Sequence, residues 1–206
     1  MWRYGEPLFL VVALVMSETL RQKLPAIYGR LLPELFDRPA IDETRATCDD
    51  CAMCDKGGAN VKPEVVAAFF RPDVKCCSYH PTVPNYLIGA LLADPAPELE
   101  EGRRRVREKI ARRIGVTPHW LSAPRKFLVL LEASREASFG RAESLLCPYY
   151  ERSTGRCTIW RHRESVCGTF FCKHNGGAVA HSFWTALKDY LSHVELRLSR
   201  YAARSV

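Results

Sequence analysis

The chain has 206 residues, with 30 Lys and Arg against 23 Asp and Glu, a formal net charge of +7, and nine cysteines. Its 47% hydrophobic and 26% charged content is globular and excludes a collagenous, low-complexity or multi-span membrane protein. A chain this long buries a core without cross-links, so the cysteines call for a chemical explanation.

The elements are taken in chain order. Leu8 to Met16 is an apolar run too short to cross a bilayer core, which takes about 20 helical residues. Glu6 beside the N-terminal charges, and the lack of a small-residue cleavage site, argue against a secretory signal. Residues 1–16 therefore read as an N-terminal extension outside the native fold, and 17–206 as a single domain. Leu20, Leu24, Ile27, Leu31 and Leu35 recur at helical steps, with Pro25 and Pro33 breaking the helix. Residues 39–63 read as a polar ligand loop, 64–70 as a short buried element, and 76–81 as a second loop. Asn85 to Ala93 is a short apolar helix stopped by Asp94-Pro95-Ala96-Pro97.

Glu98 to Ile114 reads as a surface helix with Val106, Ile110 and Ile114 on its apolar side. Its arginines pair with Glu100, Glu101 and Glu108, so it is a solvated face and not a nucleic-acid stripe. Phe127 to Leu131 is a strand or the start of a buried helix; at that length periodicity does not separate them. After Gly176-Gly177 a long amphipathic helix spans roughly 179–203. Its predicted apolar face is Phe183, Trp184, Leu187, Tyr190, Leu191, Val194, Leu198 and Tyr201. The expected fold is mainly α, with irregular Cys-rich metal-ligand loops packed on a helical scaffold.

Cys48-x2-Cys51-x2-Cys54 lets a short loop turn three thiols toward one centre, and bacterial ferredoxins use the same run for three ligands of a four-iron cluster. Cys147, Cys157, Cys167 and Cys172 place four more thiols within 26 residues. Of the adjacent pair Cys76 and Cys77, one is expected to ligate and the other to pack or serve a second centre. An odd cysteine count fits poorly with a closed disulfide framework. In a reducing cytoplasm such clusters bind metal, and cytoplasmic is the expected location. Eight ligands suffice for two four-thiolate sites or one larger cluster. The usual paired zinc knuckles are absent, so an iron–sulfur cluster of the 4Fe–4S type is favoured, with Zn2+ as the alternative. His174 is the best additional ligand, His80 a weaker one, and His162 belongs to the surroundings or the surface; His119, His181 and His193 have no motif support. The basic excess lies late, +5 in residues 147–206 against +2 before. An excess this modest is weak evidence for a nucleic-acid partner, which is not expected, and it is partly a counter-charge to the metal site.

The three early cysteines, Cys76-Cys77, Cys147-Pro148-Tyr149-Tyr150, Gly155-Arg156-Cys157-Thr158-Ile159-Trp160, Arg163, Cys167 and Phe171-Cys172 resemble the YkgJ-type cysteine-cluster family, a zinc- or iron-chelating domain. The likeness spans about residues 48–174. It departs from the family pattern in a 21-residue insertion before Cys76 and in Arg163-Glu164 where the family has Arg-Pro. The family is similar in cysteine signature to flagellin lysine N-methylases, which implies iron–sulfur chemistry with S-adenosylmethionine. The chain lacks the C-x3-C-x2-C radical signature and a Gly-rich cofactor loop. Three functions are therefore expected to compete. The first is a metal-cluster protein with a redox, electron-transfer or metal-handling role, its site shielded by Tyr149, Tyr150, Trp160, Phe170, Phe171 and Trp184. The second is a cluster-dependent protein-modifying methyltransferase. The third is a zinc-stabilised module for an unknown protein partner.

Overall fold

The computed structural model describes residues 70–134, 139–170 and 177–205, and before them 19, 21–22, 24–32, 34–37, 48, 51, 53 and 54. The N-terminal extension, most of the 39–63 loop, the 64–69 segment, Phe171, Cys172 and His174 lie outside the described residues.

The fold is mainly α. The first helix, α1 (Ala26–Gly29), is a single turn that starts behind Pro25, and a 3-10 turn follows at Glu34–Asp37. Pro25 interrupts what the leucine spacing alone would make one helix. The strand pair β1 (Val83–Pro84) and β2 (Trp120–Leu121) is antiparallel. Between them lie α2 (Asn85–Ala93) and α3 (Glu100–Ala111), the latter preceded by a 3-10 turn at Pro97–Leu99. Then come α4 (Arg125–Ala133), the hairpin β3 (Tyr150–Glu151) and β4 (Arg156–Cys157), the short α5 (Ser165–Thr169), and α6 (Gly177–Arg204). No helix among the described residues is long and apolar enough to cross a membrane.

Two cores hold these elements. Leu87, Ile88 and Leu91 of α2 meet Leu99, Val106, Leu121, Tyr149, Tyr150 and Ile159 in the larger one. Leu24, Tyr28 and Leu32 close on Ala180, Trp184, Leu187 and Leu191 of α6 in the smaller.

Three sequence expectations shift. On α6 the buried stripe runs Ala180, Trp184, Leu187, Leu191, Glu195, Ser199, while Tyr190 and Tyr201 are exposed. Two polar residues continue the stripe because each has buried partners: Glu195 accepts from Ser165, and the Ser199 carbonyl accepts from Asn85 Nδ2 at 3.0 Å. On α3 the buried positions are Gly102, Arg103, Val106 and Lys109, while Ile110 is exposed. The helix ends at Ala111, and Arg113 and Gly115 turn the chain with positive φ. Its exposed arginines pair with Glu101 and Glu108 at 2.7–3.4 Å, as the pattern predicted. The 127–131 run lies on a helix that is not buried. Phe127 alone of α4 is buried, against His80 at 5.1 Å, while Leu128, Val129 and Leu131 are 52%, 57% and 47% exposed.

Candidate metal centre

The cysteines do not all sit on irregular loops. Cys76 and Cys77 lie in a 3-10 turn (Lys75–Ser78), Cys157 ends β4, and Cys167 lies in α5. Each segment is fastened by a different device.

Cys54 is bridged to Phe70, whose N–H donates to the Met53 carbonyl at 2.6 Å. The Phe70 ring lies over Gly140, where a Cβ would stand 2.1 Å from it; Gly140 also has a φ of +74°, so glycine is required twice over. The 3-10 turn is entered through Lys75 at φ +55°. The Lys75 ammonium donates to the Cys48 carbonyl at 2.6 Å and the Gly155 carbonyl at 2.9 Å. One side chain thus joins the first, second and third cysteine segments. The Cys147 N–H donates to the Cys77 carbonyl at 2.6 Å, bringing together residues that the sequence keeps far apart.

Arg105 of α3 fixes the Cys147–Tyr150 turn. It donates to the carbonyls of Pro148 (2.9 Å) and Tyr150 (2.7 Å) while paired with Glu101 and Glu151. The β3–β4 hairpin sets Tyr150 opposite Cys157. Close approach of α3 to the chain after Cys157 requires Gly102, since a Cβ there would lie 2.3 Å from the Thr158 carbonyl oxygen. Glu164 caps α5, its carboxylate accepting from the N–H groups of Val166 (2.6 Å) and Cys167 (2.9 Å). The departure from Arg-Pro at this position therefore supplies the cap of the Cys167 helix.

These devices place Cys48, Cys51, Cys76, Cys77, Cys147, Cys157 and Cys167 on the wall of one cavity of about 190 Å3. Both members of the adjacent pair face it. Cys54 stands beside Cys51, to which its thiol is hydrogen-bonded, and Cys172 lies outside the described residues. Of the aromatics expected to shield the site, Tyr149, Trp160 and Phe170 line the cavity. Tyr150 and Trp184 instead belong to the two cores. Cys48 and Cys157 also border a second, wider cleft of about 650 Å3 with Glu98, Glu151, Arg156 and Arg161 on its walls.

The thiols strongly perturb one another. Burial, then the nearby Cys76 and Cys157, push Cys48 up to about 11. Burial and the hydrogen bond with Cys51 take Cys54 to about 12. Burial drives Cys147, Cys157 and Cys167 upward as well. Cys76 alone is lowered, by its hydrogen bond with Cys77, whose own value rises through the same bond. Buried thiols this crowded cannot ionise together in protein alone; a cation among them reverses the balance.

Among the described residues, no three His, Cys, Asp or Glu side chains are grouped so that they could hold a metal ion as they stand. The donor set nevertheless fits a soft metal centre: sulfur-rich, walled by aromatics, and with few competing oxygens. Tyr149, fully buried on this wall, carries a hydroxyl with no hydrogen-bond partner among the described residues.

Among the described residues the histidines add nothing to this set. His80 is buried, with Nδ1 on the Pro81 carbonyl (3.1 Å) and Nε2 on Lys109 Nζ (3.2 Å). Burial and Lys109 hold its pKa down to about 4, so the ring is neutral and both nitrogens are engaged. His162 is 2.9 Å from Asp94. Lys75, Arg105 and Glu164 are functional positions that the sequence reading did not single out as such. The one local signal was that Lys75 and Glu164 lie next to, or three residues from, a cysteine.

Comparison of the chain with family profiles, curated proteins and solved structures finds no match in any of the three.

Proposed function

We propose that the chain is a cytoplasmic metal-centre protein whose Cys-lined cavity holds an iron–sulfur cluster, of the 4Fe–4S type, with Zn2+ as the alternative. The observation that carries this reading is the convergence of seven thiols, from four separate segments, on one cavity. Ligands come from Cys48, Cys51, Cys76, Cys77, Cys147, Cys157 and Cys167. Cys54 stands in reserve, and Cys172 is a ninth candidate from its position in the sequence.

A cluster bound there would supply one-electron transfer. The protein's part is to gather and shelter the sulfurs. Lys75 and Arg105 clamp the ligand segments, while Tyr149, Ile159, Trp160 and Phe170 exclude water. The cleft beside Cys48 and Cys157 brings a redox partner or a metal donor within reach of two candidate ligands. The resemblance to the YkgJ-type family, carried by the motif residues, points the same way.

The test is anaerobic purification followed by metal analysis and an absorption spectrum. Iron, acid-labile sulfide and a broad band near roughly 400 nm are expected. Colourless protein with bound zinc would establish the alternative and a folding role for the metal. Metal-free protein with oxidised cysteines after reconstitution would refute both. Cys157→Ser is expected to lose the metal and destabilise the fold.

A further inference from the structure

Among the described residues eight arginines stand opposite a carboxylate: Arg21, Arg71, Arg103, Arg104, Arg105, Arg112, Arg152 and Arg161 all form ion pairs. Lys75 and Arg163 on the cavity wall, and Lys109 beside Tyr149, have no ion pair among the described residues. Lys75 donates only to the two carbonyls already named. Lys109 is 7% exposed, lies 5.7 Å over the ring of Tyr149, and finds only His80 and the Ser122 carbonyl. Arg163 lines the cavity, stacked 3.4 Å over Trp160, with one N–H on the Trp160 carbonyl at 3.0 Å. Its two terminal nitrogens have no acceptor among the described residues.

Desolvating a cation without an anionic partner is unfavourable, and a guanidinium presents donors in a rigid fork suited to recognising anions. Among the described residues that line the cavity the one carboxylate, Glu164, spends its oxygens on the backbone N–H groups of Val166 and Cys167. Among the described residues, these three cations and Glu164 sum to a formal excess of two positive charges. Four thiolates around a core of about +2 carry two negative ones, for a single zinc as for a four-iron cluster.

We infer that Arg163 is a positioning residue for a net-anionic thiolate centre, its free N–H groups donating to the sulfurs that face it. Lys75 and Lys109 supply the rest of the charge match. The inference rests on the metal-centre reading and deepens it: the surround fits one dianionic centre, where two four-thiolate centres would bring four negative charges. Trp160 holds the guanidinium flat, so that charge and donor direction are set before the metal arrives.

The experiment follows the transfer of metal from the purified holo-protein to excess EDTA, with metal content per chain and thermal unfolding measured alongside. Arg163→Met is expected to speed metal loss about tenfold or more, the range found for partners that orient metal ligands. Arg163→Lys, which keeps the charge but loses the fork and the stack on Trp160, is expected to fall between wild type and Arg163→Met. Arg112→Met, which removes a charge from a residue paired with Glu108 and away from both the cavity and the cleft, is expected to have no effect. If Arg163→Met does not fold, Arg163→Gln replaces it in the same comparison. Equal loss rates for the Met and Lys variants would mean that Arg163 acts only through packing, and would overturn the inference. So would wild-type retention by Arg163→Met, or a wild-type content of two four-thiolate centres. In each of these cases the metal-centre reading still stands. Wild-type protein that takes up no metal after reconstitution would remove both.

Discussion

Gly102→Ala sets two opposed effects against each other at a position that aligns Cys157. Alanine favours a helix over glycine by up to about 1 kcal/mol in the interior. Gly102 is the third residue of α3, near the frayed end, so the gain is smaller. Against it, the new methyl would lie 2.3 Å from the Thr158 carbonyl oxygen, 3.0 Å from its carbon and 3.1 Å from Ile159 Cγ2. A relaxed carbon–oxygen contact is about 3.3 Å or more, so backbone must part from backbone by about 1 Å. Interiors compress little, and an overpacked site loses about 1–3 kcal/mol. Steric conflict should therefore win by about 1–2 kcal/mol, lowering Tm by roughly 3–6 °C in a domain of this size. The displaced element carries Cys157, so the holo-protein should also release metal faster. Differential scanning calorimetry on metal-loaded protein reads the first effect. A Tm equal to or above wild type would refute the claim that α3 is seated on the Thr158 carbonyl.

Lys75→Met removes both bonds that tie Cys48 to Gly155. In metal-free protein, alkylation by iodoacetamide followed by mass spectrometry should show Cys48 reacting about tenfold faster, equivalent to roughly 1.4 kcal/mol. Cys147, held from α3 by Arg105, should be unchanged; uniform acceleration of all thiols would mean general unfolding instead. Glu195 is buried between Tyr28 and Ser165, and burial raises its pKa to about 7. The native state therefore holds a proton that the unfolded chain has released, so this residue makes stability fall as pH rises from about 4.5 to about 7, and level off above. Glu195→Gln keeps the shape without the titration. The difference between wild type and variant in urea midpoint should change between pH 5 and pH 7.5, and a pH-independent difference would contradict it.

Much of the scaffold is legible in the chain, and the reasons differ by element. The bounds of α2 come directly from Pro84 and the Asp94-Pro95 stop, both local signals. The break around α1 is equally local, because proline acts on its own neighbours. The buried face of α3 is less accessible to pattern reading, since it contains Gly102, Arg103 and Lys109. They are buried by what approaches from residues 158–159, 94–96 and 80. The exposed leucines of α4 defeat the same reasoning from the other side, because hydrophobicity does not fix whether another element covers a helix. For the site, residue type carried the chemistry and spacing carried the suspicion of a cluster. Neither could bring Cys77 against Cys147, or show that Lys75, Lys109 and Arg163 have no ion pair among the described residues. Those facts depend on contacts between distant segments.

The backbone bond from Cys147 to Cys77 has a consequence in time. Cys147 is 70 residues beyond Cys77, and Lys75 waits for Gly155, 80 residues away. At translation rates of about 5–20 residues per second, the earlier thiols would leave the ribosome roughly 4–16 s before their partners. The loops to be closed are long and their contacts non-local, which slows assembly further. During that interval the first five cysteines are accessible to oxidants and to stray metal without the surround that gives the cavity its charge. The vulnerable period of this protein is therefore its synthesis, and a reducing environment matters more to the nascent chain than to the finished one.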